Sequence, residues 1–455
     1  MGWIKKSYLK FPTHLFPLLI LFMLVNSSFL QIGGYNPSSR LALMAALTED
    51  FSVAIDRYAE GNAWTNDWAL GVDGHKVSNK APGAAFLGFP IYYLLDLIWN
   101  HNVNDLNQRD ENRFHARHLA EFIISWLLQI LTFSILMLWA FALGPFSNIS
   151  SFQQIALFSV LSFAQTISLF FNTFFGHALL GVISLTSYFC FINKKYFCAG
   201  LLAALSVAVD YSSAPWLLVL SMAFVFLKDH RRWKSVIYFA LGLVPIFLFL
   251  GIYHKSAFGT PFTLSLQHQN PSFKNTEAGA LWGILNLLPS FTILMKLLFG
   301  MERGILWTQP WLFVLIYKFG VLSPISLRQN YFFKCSLIYF LLLLFLNAGF
   351  GGWHSGGSPG PRYLSVPIFL MSAFFPWSSL KLKFEVFLKI LIGYSFFFYC
   401  CVMSTELLLP AENLWLRFFR LFSEKPSRIL KLLVLMSSFV YMYRLSFRRA
   451  LRQES

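Results

Sequence analysis

The sequence predicts an all-α, polytopic membrane protein with about 12 transmembrane helices, within a range of about 11 to 13. The chain of 455 residues is 56% hydrophobic and only 12% charged, and its mean hydropathy is +0.58. Apolar runs of about 15 to 25 residues recur from end to end, as spanning helices require. The short alternating segments of a closed β-barrel are missing from the sequence.

The first apolar run, residues 15–32, follows three lysines and lacks a small-residue cleavage site, so we expect an uncleaved first helix. A doubtful run, residues 84–99, is about 16 residues long and contains Pro90 and Asp96. The runs expected to span the membrane are residues 14–33, 119–143, 153–171, 178–192, 197–211, 213–227, 235–254, 303–320, 332–349, 362–378, 384–404 and 429–445.

The distribution of Lys and Arg decides whether residues 84–99 span. If they do not, and the N-terminus is inside, the basic residues collect in cytoplasmic loops and in a cytoplasmic C-terminus. If they do, every later loop changes sides. The sequence therefore favours an amphipathic or re-entrant helix at the outer interface, within one long external segment, residues 34–118. The residues that decide this are Lys194, Lys195, Lys228, Arg231, Arg232, Lys234, Arg328, Lys381, Lys383, Arg444, Arg448, Arg449 and Arg452.

The same topology explains the net charge of +16, which we assign to cytoplasmic loops rather than to nucleic-acid binding. The five cysteines lie in or beside apolar runs without metal-type spacing, so we expect buried, apolar side chains. The polar segments 67–80, 171–177, 209–213 and 351–363 all fall on the predicted external face, together with the loop 255–302.

The first external segment begins with a predicted short helix, capped by Ser38 or Ser39. Residues 53–55 then form an expected buried extended piece that ends at Asp56. This carboxylate is either a loop acid in a salt bridge with Arg57 or a general base held at the membrane surface.

Two features of the segment 67–90 differ in what they predict. Asp73, Gly74 and His75 form an Asp-Gly turn, which favours a structural role for Asp73. Lys80 lies where a loop meets an interfacial helix, at the level of lipid headgroups. It is predicted either to bind a phosphate as a point charge or to extend to the interface as an anchor.

His177 and Asp210 stand at the outer ends of predicted helices, where ionisable groups are functional candidates. They are also able to pair with each other as a structural lock. A metal site built from Asp56, His177, Asp210 and His354 is possible, but no ligand spacing supports it, and we expect no metal or other cofactor.

The glycine-rich segment 351–363 predicts a tight loop before a late helix. Arg362 at the start of that helix suits a phosphate or diphosphate, and Trp353 or Tyr363 is available to stack on a sugar. The alternative is an interfacial anchor of Trp, Tyr and Arg.

Taken in order, these motifs resemble the GT-C superfamily of polyprenyl-phosphate-sugar-dependent glycosyltransferases, which includes protein O-mannosyltransferases and the aminoarabinose transferase of lipid A. A bacterial branch is most similar. The resemblance covers about residues 10–380, and residues 73–83 (DGHKVSNKAPG) are its most specific part. The other matching segments are Ser39-Arg40, Ile55-Asp56-Arg57-Tyr58, Phe175-Gly176-His177, Asp210-Tyr211, Gly360-Pro361-Arg362, residues 258–262 and residues 302–310.

The resemblance implies a catalytic transmembrane domain over residues 1–380, followed by helices and a basic cytoplasmic tail over residues 381–455. It implies a catalytic acid in the first external loop and a phosphate-binding lysine, which Lys80 matches. The family's acidic pair before the arginine is missing from residues 35–40, so either Asp56 takes that role or the chain is not an active transferase. The remaining candidates for substrate binding are Arg40, Tyr58, Asp73, His75, His177, Asp210, Trp353, His354, Arg362 and Tyr363.

The function expected from the sequence is an inverting, metal-independent glycosyl transfer from a polyprenyl-phosphate sugar to a glycan, lipid or protein. The predicted location is the bacterial inner membrane, with both termini cytoplasmic and the active face periplasmic. Three alternatives stay open: a transporter or flippase, a ligase with a lipid-diphosphate donor, and an inactive assembly partner. The transporter alternative predicts inverted repeats and ionisable groups near mid-membrane, and the sequence has neither.

Overall fold

The apolar runs form a helical protein, as expected, in the computed structural model. It describes residues 12–29, 31, 33–59, 64–99, 117–226, 232–273, 281, 284–321, 331–377, 382–405 and 413–454. The basic residues Lys228, Arg231, Arg328 and Lys381, which helped to decide the topology, lie outside these ranges.

The helices are numbered in chain order. They are α1 (Phe16–Ser28), α2 (Tyr35–Ala45), α3 (Asp56–Ala59), α4 (Gly83–Trp99), α5 (Arg117–Ala142), α6 (Ser151–Phe163), α7 (His177–Ile192), α8 (Tyr196–Val209), α9 (Ala214–Phe226), α10 (Arg232–Phe258), α11 (Phe291–Phe299), α12 (Ile305–Thr308), α13 (Trp311–Val321), α14 (Tyr331–Gly349), α15 (Ser365–Phe374), α16 (Leu382–Ser404), α17 (Leu414–Glu424) and α18 (Ser427–Glu454).

Five helices of the described chain, α5, α10, α14, α16 and α18, are long and apolar enough to cross a membrane. Their length and apolar composition are those expected of an integral membrane protein. Seven other apolar segments form shorter helices, among them α4 and α7, so the expected number of about 12 spans stays a prediction. Polar breaks bound the short helices, since α7 begins after Gly176 and α8 ends before Asp210.

Helices α8 and α10 pack closely because both carry glycine where they cross. A Cβ atom on Gly200 would lie 2.1 Å from the Phe239 carbonyl oxygen, and one on Gly242 would lie 2.1 Å from the Phe197 carbonyl oxygen. Small residues that let two backbones approach are the usual means of packing helices in lipid, where no hydrophobic force joins them.

A small hairpin interrupts the helices within residues 34–118, the segment predicted to be external. Strand β1 (Trp68–Leu70) pairs antiparallel with β2 (Lys76–Ser78), and Trp68 lies opposite Ser78. The turn between them is the predicted Asp-Gly turn, since Asp73 and Gly74 both have positive φ, +60° and +80°. Ala54 bridges to Val77, which confirms the extended piece before Asp56. Ala69 bridges to Gln269, so the loop after α10 is fastened to the same hairpin.

Two local predictions are wrong. Helix α2 begins at Tyr35 after Gly34, so Ser38 and Ser39 lie inside the helix and do not cap it. Cys198 is exposed on the surface of the protein and Cys190 is half-buried, whereas Cys335, Cys400 and Cys401 are buried as expected.

Candidate functional site

The hairpin fixes the position of Lys80. Its ammonium nitrogen lies 3.0 Å from Oδ2 of Asp67, and both side chains are mostly buried, with 19% and 15% of their surface exposed. Gly83 then starts α4 against the end of α8. A Cβ atom on Gly83 would lie 2.6 Å from the Ala208 backbone. The Lys-Ala-Pro-Gly sequence therefore brings the chain from Lys80 to the end of α8.

Arg40 reaches the same place from α2. Its side chain is 1% exposed, and its guanidinium donates to the side-chain oxygen of Asn36 one turn earlier. Burial, together with the charge of Arg362, lowers the pKa of Arg40 to about 10, although the carboxylates of Asp210 and Asp67 oppose that change. Ser39 joins α2 to the hairpin, since its hydroxyl donates to the Asp67 carbonyl at 2.6 Å.

Gly176 makes room for Arg40. Its φ is +86°, and a Cβ atom there would lie 2.9 Å from Nη2 of Arg40. A glycine is thus required twice over, for the left-handed backbone and for the close approach of the guanidinium. The Phe-Gly-His motif and the Ser-Arg motif therefore meet in the structure, through Gly176 and Arg40.

His177 and Asp210 meet at the ends of their helices, as one of the two interpretations predicted. Nδ1 of His177 lies 3.9 Å from Oδ2 of Asp210, and the Ser212 amide donates to Oδ1 of Asp210 at 3.0 Å. The charges of Arg362, Arg40 and Lys80 all act on His177.

Arg362 completes the group from the glycine-rich loop. Its side chain is 6% exposed, and its guanidinium lies 4.9 Å from the ring centre of Phe175 and 5.2 Å from that of Tyr363. Tyr363 in turn lies edge-on to His177, with 6.2 Å between ring centres. Nε of Arg362 has no hydrogen-bond partner in the described part of the chain.

We define the polar cluster as Arg40, Asp67, Lys80, His177, Asp210 and Arg362. It holds three permanent cations and two carboxylates, so it carries a net positive charge with His177 neutral. Cations in such surroundings bind phosphate, Arg through its planar fork and Lys as a point charge. The cluster is built from segments that are distant in the sequence. It brings together five of the predicted candidates, Arg40, Lys80, His177, Asp210 and Arg362.

Asp56 is held elsewhere on the hairpin. Its Oδ2 lies 3.0 Å from Nδ1 of His75, and its Oδ1 accepts the Lys76 amide at 2.8 Å. Arg57, which the sequence offered as its partner, instead contacts Glu49 at 3.2 Å and Asp50 at 3.6 Å. The salt bridge between Asp56 and Arg57 was therefore a wrong prediction, and Asp56 and His75 form a separate, half-exposed pair.

Two more candidates have mainly structural contacts. Asp73 is exposed at the tip of the hairpin turn, as the Asp-Gly interpretation predicted. Tyr58 is 2% exposed and packs on Trp64, with 4.8 Å between ring centres. Burial raises the pKa of the Tyr58 hydroxyl, so it stays protonated.

Trp353 lies between two cations that the sequence analysis did not select. The charged groups of Lys296 and Arg303 are each 5.6 Å from its ring centre. Burial, with help from the charges of Arg303 and Arg362, lowers the pKa of the neighbouring His354, which is therefore neutral at pH 7. The set Asp56, His177, Asp210 and His354 does not come together as a metal-binding group among the described residues.

Asp67 is the functional candidate that the sequence reasoning missed. The signal was present, because a turn at residues 73–74 sets Trp68 opposite Ser78, and Asp67 and Asn79 are the next residues outward on the two arms of the hairpin. Asp67 is therefore adjacent to Lys80 in the hairpin.

Comparison with family models, with curated proteins and with solved structures finds no match to this chain.

Proposed function

We propose that the protein is a membrane-embedded glycosyltransferase whose polar cluster binds the phosphate of a polyprenyl-phosphate sugar. The observation that carries the proposal is the Lys80–Asp67 contact, which lies beside Arg40 and Arg362. A lipid phosphate is a suitable ligand for three cations that lie among apolar helices.

Asp67 is the proposed general base, in place of Asp56. Lys80 contacts Asp67 at 3.0 Å, and an incoming phosphate competes for the same ammonium group. When Lys80 turns to the phosphate, the Asp67 carboxylate is released next to the bound donor. A base placed within hydrogen-bond reach of an acceptor hydroxyl is what the transfer requires.

The proposed transfer is an in-line displacement at the anomeric carbon of the sugar. Asp67 takes the proton of the acceptor hydroxyl, and the acceptor oxygen forms a bond to the anomeric carbon from the face opposite the phosphate. The bond from the anomeric carbon to the phosphate oxygen breaks, and its electron pair stays on the lipid phosphate. Lys80, Arg40 and Arg362 stabilise the charge that develops there, and the sugar inverts its configuration.

Buried amides near the glycine-rich loop are suited to the sugar. Nε2 of Gln309 donates to the Thr166 hydroxyl at 2.7 Å, and a Cβ atom on Gly360 would lie 2.8 Å from that hydroxyl oxygen. Both amide atoms of Gln165 and Oε1 of Gln309 have no hydrogen-bond partner in the described part of the chain. Neutral donors and acceptors of this kind bind sugar hydroxyls, and leaving them unpaired is costly.

Mass spectrometry of lipid-linked sugars tests this function. We expect one polyprenyl-phosphate sugar to accumulate in a deletion strain and in strains that carry only Asp67→Asn or Lys80→Gln. Asp73→Asn is the matched control, because its carboxylate is exposed at a turn where Asn also tolerates positive φ. Accumulation with Asp56→Asn but not with Asp67→Asn would return the role of base to Asp56. An unchanged pool in the deletion strain would contradict the transferase function.

A further inference from the structure

An apolar groove runs along α11 and ends at a positive charge. Its volume is about 420 Å³, and the large apolar side chains at its sides are exposed, 71% for Phe291 and 45% for Phe299. The groove is lined by Phe291, Thr292, Met295, Lys296, Phe299 and Gly300.

The helix that carries the groove is firmly attached to the rest of the protein. Ser290 caps α11, since its hydroxyl accepts from the Ile293 amide at 3.4 Å, and its own amide donates to the Ala348 carbonyl at 3.0 Å. Leu297 is fully buried on the opposite side, where α11 packs against α14. The outward face of α11 is therefore held in a fixed position.

Of the two cations beside Trp353, Lys296 lines the groove, and Arg303 lies against the same tryptophan ring. Lys296 is exposed at the groove, whereas Arg303 is 2% exposed. Nε and Nη1 of Arg303 have no hydrogen-bond partner in the described part of the chain. Two charges act on Arg303. The neighbouring Glu302 has the opposite sign, and Arg362 has the same sign as Arg303. A buried guanidinium with unpaired N–H groups is costly, and an anionic ligand removes that cost.

We propose that this groove binds the acceptor, and that the acceptor is a lipid with an anionic headgroup. Its chain lies along Phe291, Met295 and Phe299, and its headgroup lies at Lys296 and Arg303 beside Trp353. The charge complementarity at one end and the apolar lining along the rest fit one amphiphile better than a peptide or a free sugar.

This inference rests on the proposed function and names its acceptor. Arg362 belongs to the polar cluster and also acts electrostatically on Arg303, so the two cationic groups are near neighbours. The donor phosphate has Lys80, Arg40 and Arg362 for partners, which leaves Lys296 and Arg303 for a second anionic group.

Binding of short-chain lipids to the purified full chain, followed by native mass spectrometry, tests the site. The probes are dioctanoyl phosphatidic acid and dioctanoyl phosphatidylcholine, which have the same chains and different headgroups. We expect tighter binding of the phosphatidic acid, and a loss of about fivefold in Lys296→Gln, since one basic residue near an anionic lipid contributes about that factor. Lys255→Gln is the matched control, an exposed lysine at the end of α10 that should bind as the wild type does.

Several results would overturn the proposal. Equal binding of the two lipids, or no change in Lys296→Gln, removes the charged subsite. Displacement of the lipid by millimolar inorganic phosphate shows a simple phosphate site without a role for the groove. A loss of farnesyl phosphate binding in Lys296→Gln, with phosphatidic acid unaffected, assigns the groove to the donor. Arg303→Lys keeps the charge and should bind phosphatidic acid at least as well as Lys296→Gln does.

The two proposals fail separately. If Lys80→Gln binds farnesyl phosphate as the wild type does, the donor site is wrong, whatever the result with phosphatidic acid. If only the phosphatidic acid result is negative, the acceptor class is wrong and the donor site stands.

Discussion

Replacement of Gly176 by alanine separates the structural from the functional role of this glycine. Its φ of +86° is a conformation that costs an alanine about 1–2 kcal/mol. The added Cβ would also lie 2.9 Å from Nη2 of Arg40, so the guanidinium has to move. Because Arg40 is fully buried and bonded to Asn36, that movement changes the polar cluster itself.

Gly74 provides the matched control. Its φ is +80°, but a Cβ atom there would have no neighbour within 4 Å. We therefore expect Gly74→Ala and Gly176→Ala to lose similar stability, about 1–2 kcal/mol each, from the backbone alone. Only Gly176→Ala should also weaken binding of farnesyl phosphate, by about tenfold, as expected when one charged hydrogen-bond donor is displaced.

The assay measures thermal unfolding and farnesyl phosphate binding on the same detergent-purified samples. If Gly176→Ala binds farnesyl phosphate as Gly74→Ala does, then Arg40 is not part of the phosphate site. If Gly176→Ala is as stable as the wild type, the left-handed backbone at this position is wrong.

Three other predictions concern single positions. Gly200→Ala should destabilise the α8–α10 contact by about 1–3 kcal/mol, because its Cβ has no room beside the Phe239 carbonyl, whereas Gly393→Ala, with nothing within 4 Å, should not lower the melting temperature. Glu121→Gln should cost about 1–3 kcal/mol, since the buried carboxylate accepts from the Gly33 and Phe174 amides and the Thr173 hydroxyl; an unchanged melting temperature would contradict this. Asp67→Asn should abolish transfer yet keep the protein folded, and transfer at the wild-type rate would exclude Asp67 as base.

Composition and periodicity predicted the helical class well, because nearly every apolar run became a helix within a few residues of its expected ends. They predicted the number of spans less well. The length of a short apolar run does not decide whether its helix crosses a membrane, and the runs 178–192 and 197–211 formed the short helices α7 and α8.

The candidate site was predicted in part. Lys80, His177 and Arg362 were selected because ionisable side chains beside apolar helices are functional candidates, and Arg40 was selected through the family resemblance. Asp67 was missed because its role comes from hairpin register, and Arg303 was missed because its burial comes from packing around Trp353. Asp56 was selected for its place after a buried strand, but the register of the hairpin pairs it with His75 instead.

The amphipathic helix α17 was not predicted at all. Leu414, Phe418 and Leu421 form its buried face, and Trp415 packs on Phe397 with 6.1 Å between ring centres. It follows the span α16, and the Leu414 amide donates to the Met301 carbonyl at 3.2 Å, next to the loop that carries Arg303. Its sequence is too short and too charged to be recognised as a span.

The most direct test of the central claim is whether Lys80 binds the phosphate of a polyprenyl phosphate. Farnesyl phosphate and uncharged farnesol are titrated into the purified wild type and into Lys80→Gln, with Lys255→Gln as the control. We expect farnesyl phosphate to bind the wild type more tightly than farnesol does, and to lose at least about tenfold in Lys80→Gln alone. If farnesyl phosphate binds Lys80→Gln as tightly as the wild type, the polar cluster does not hold the donor phosphate.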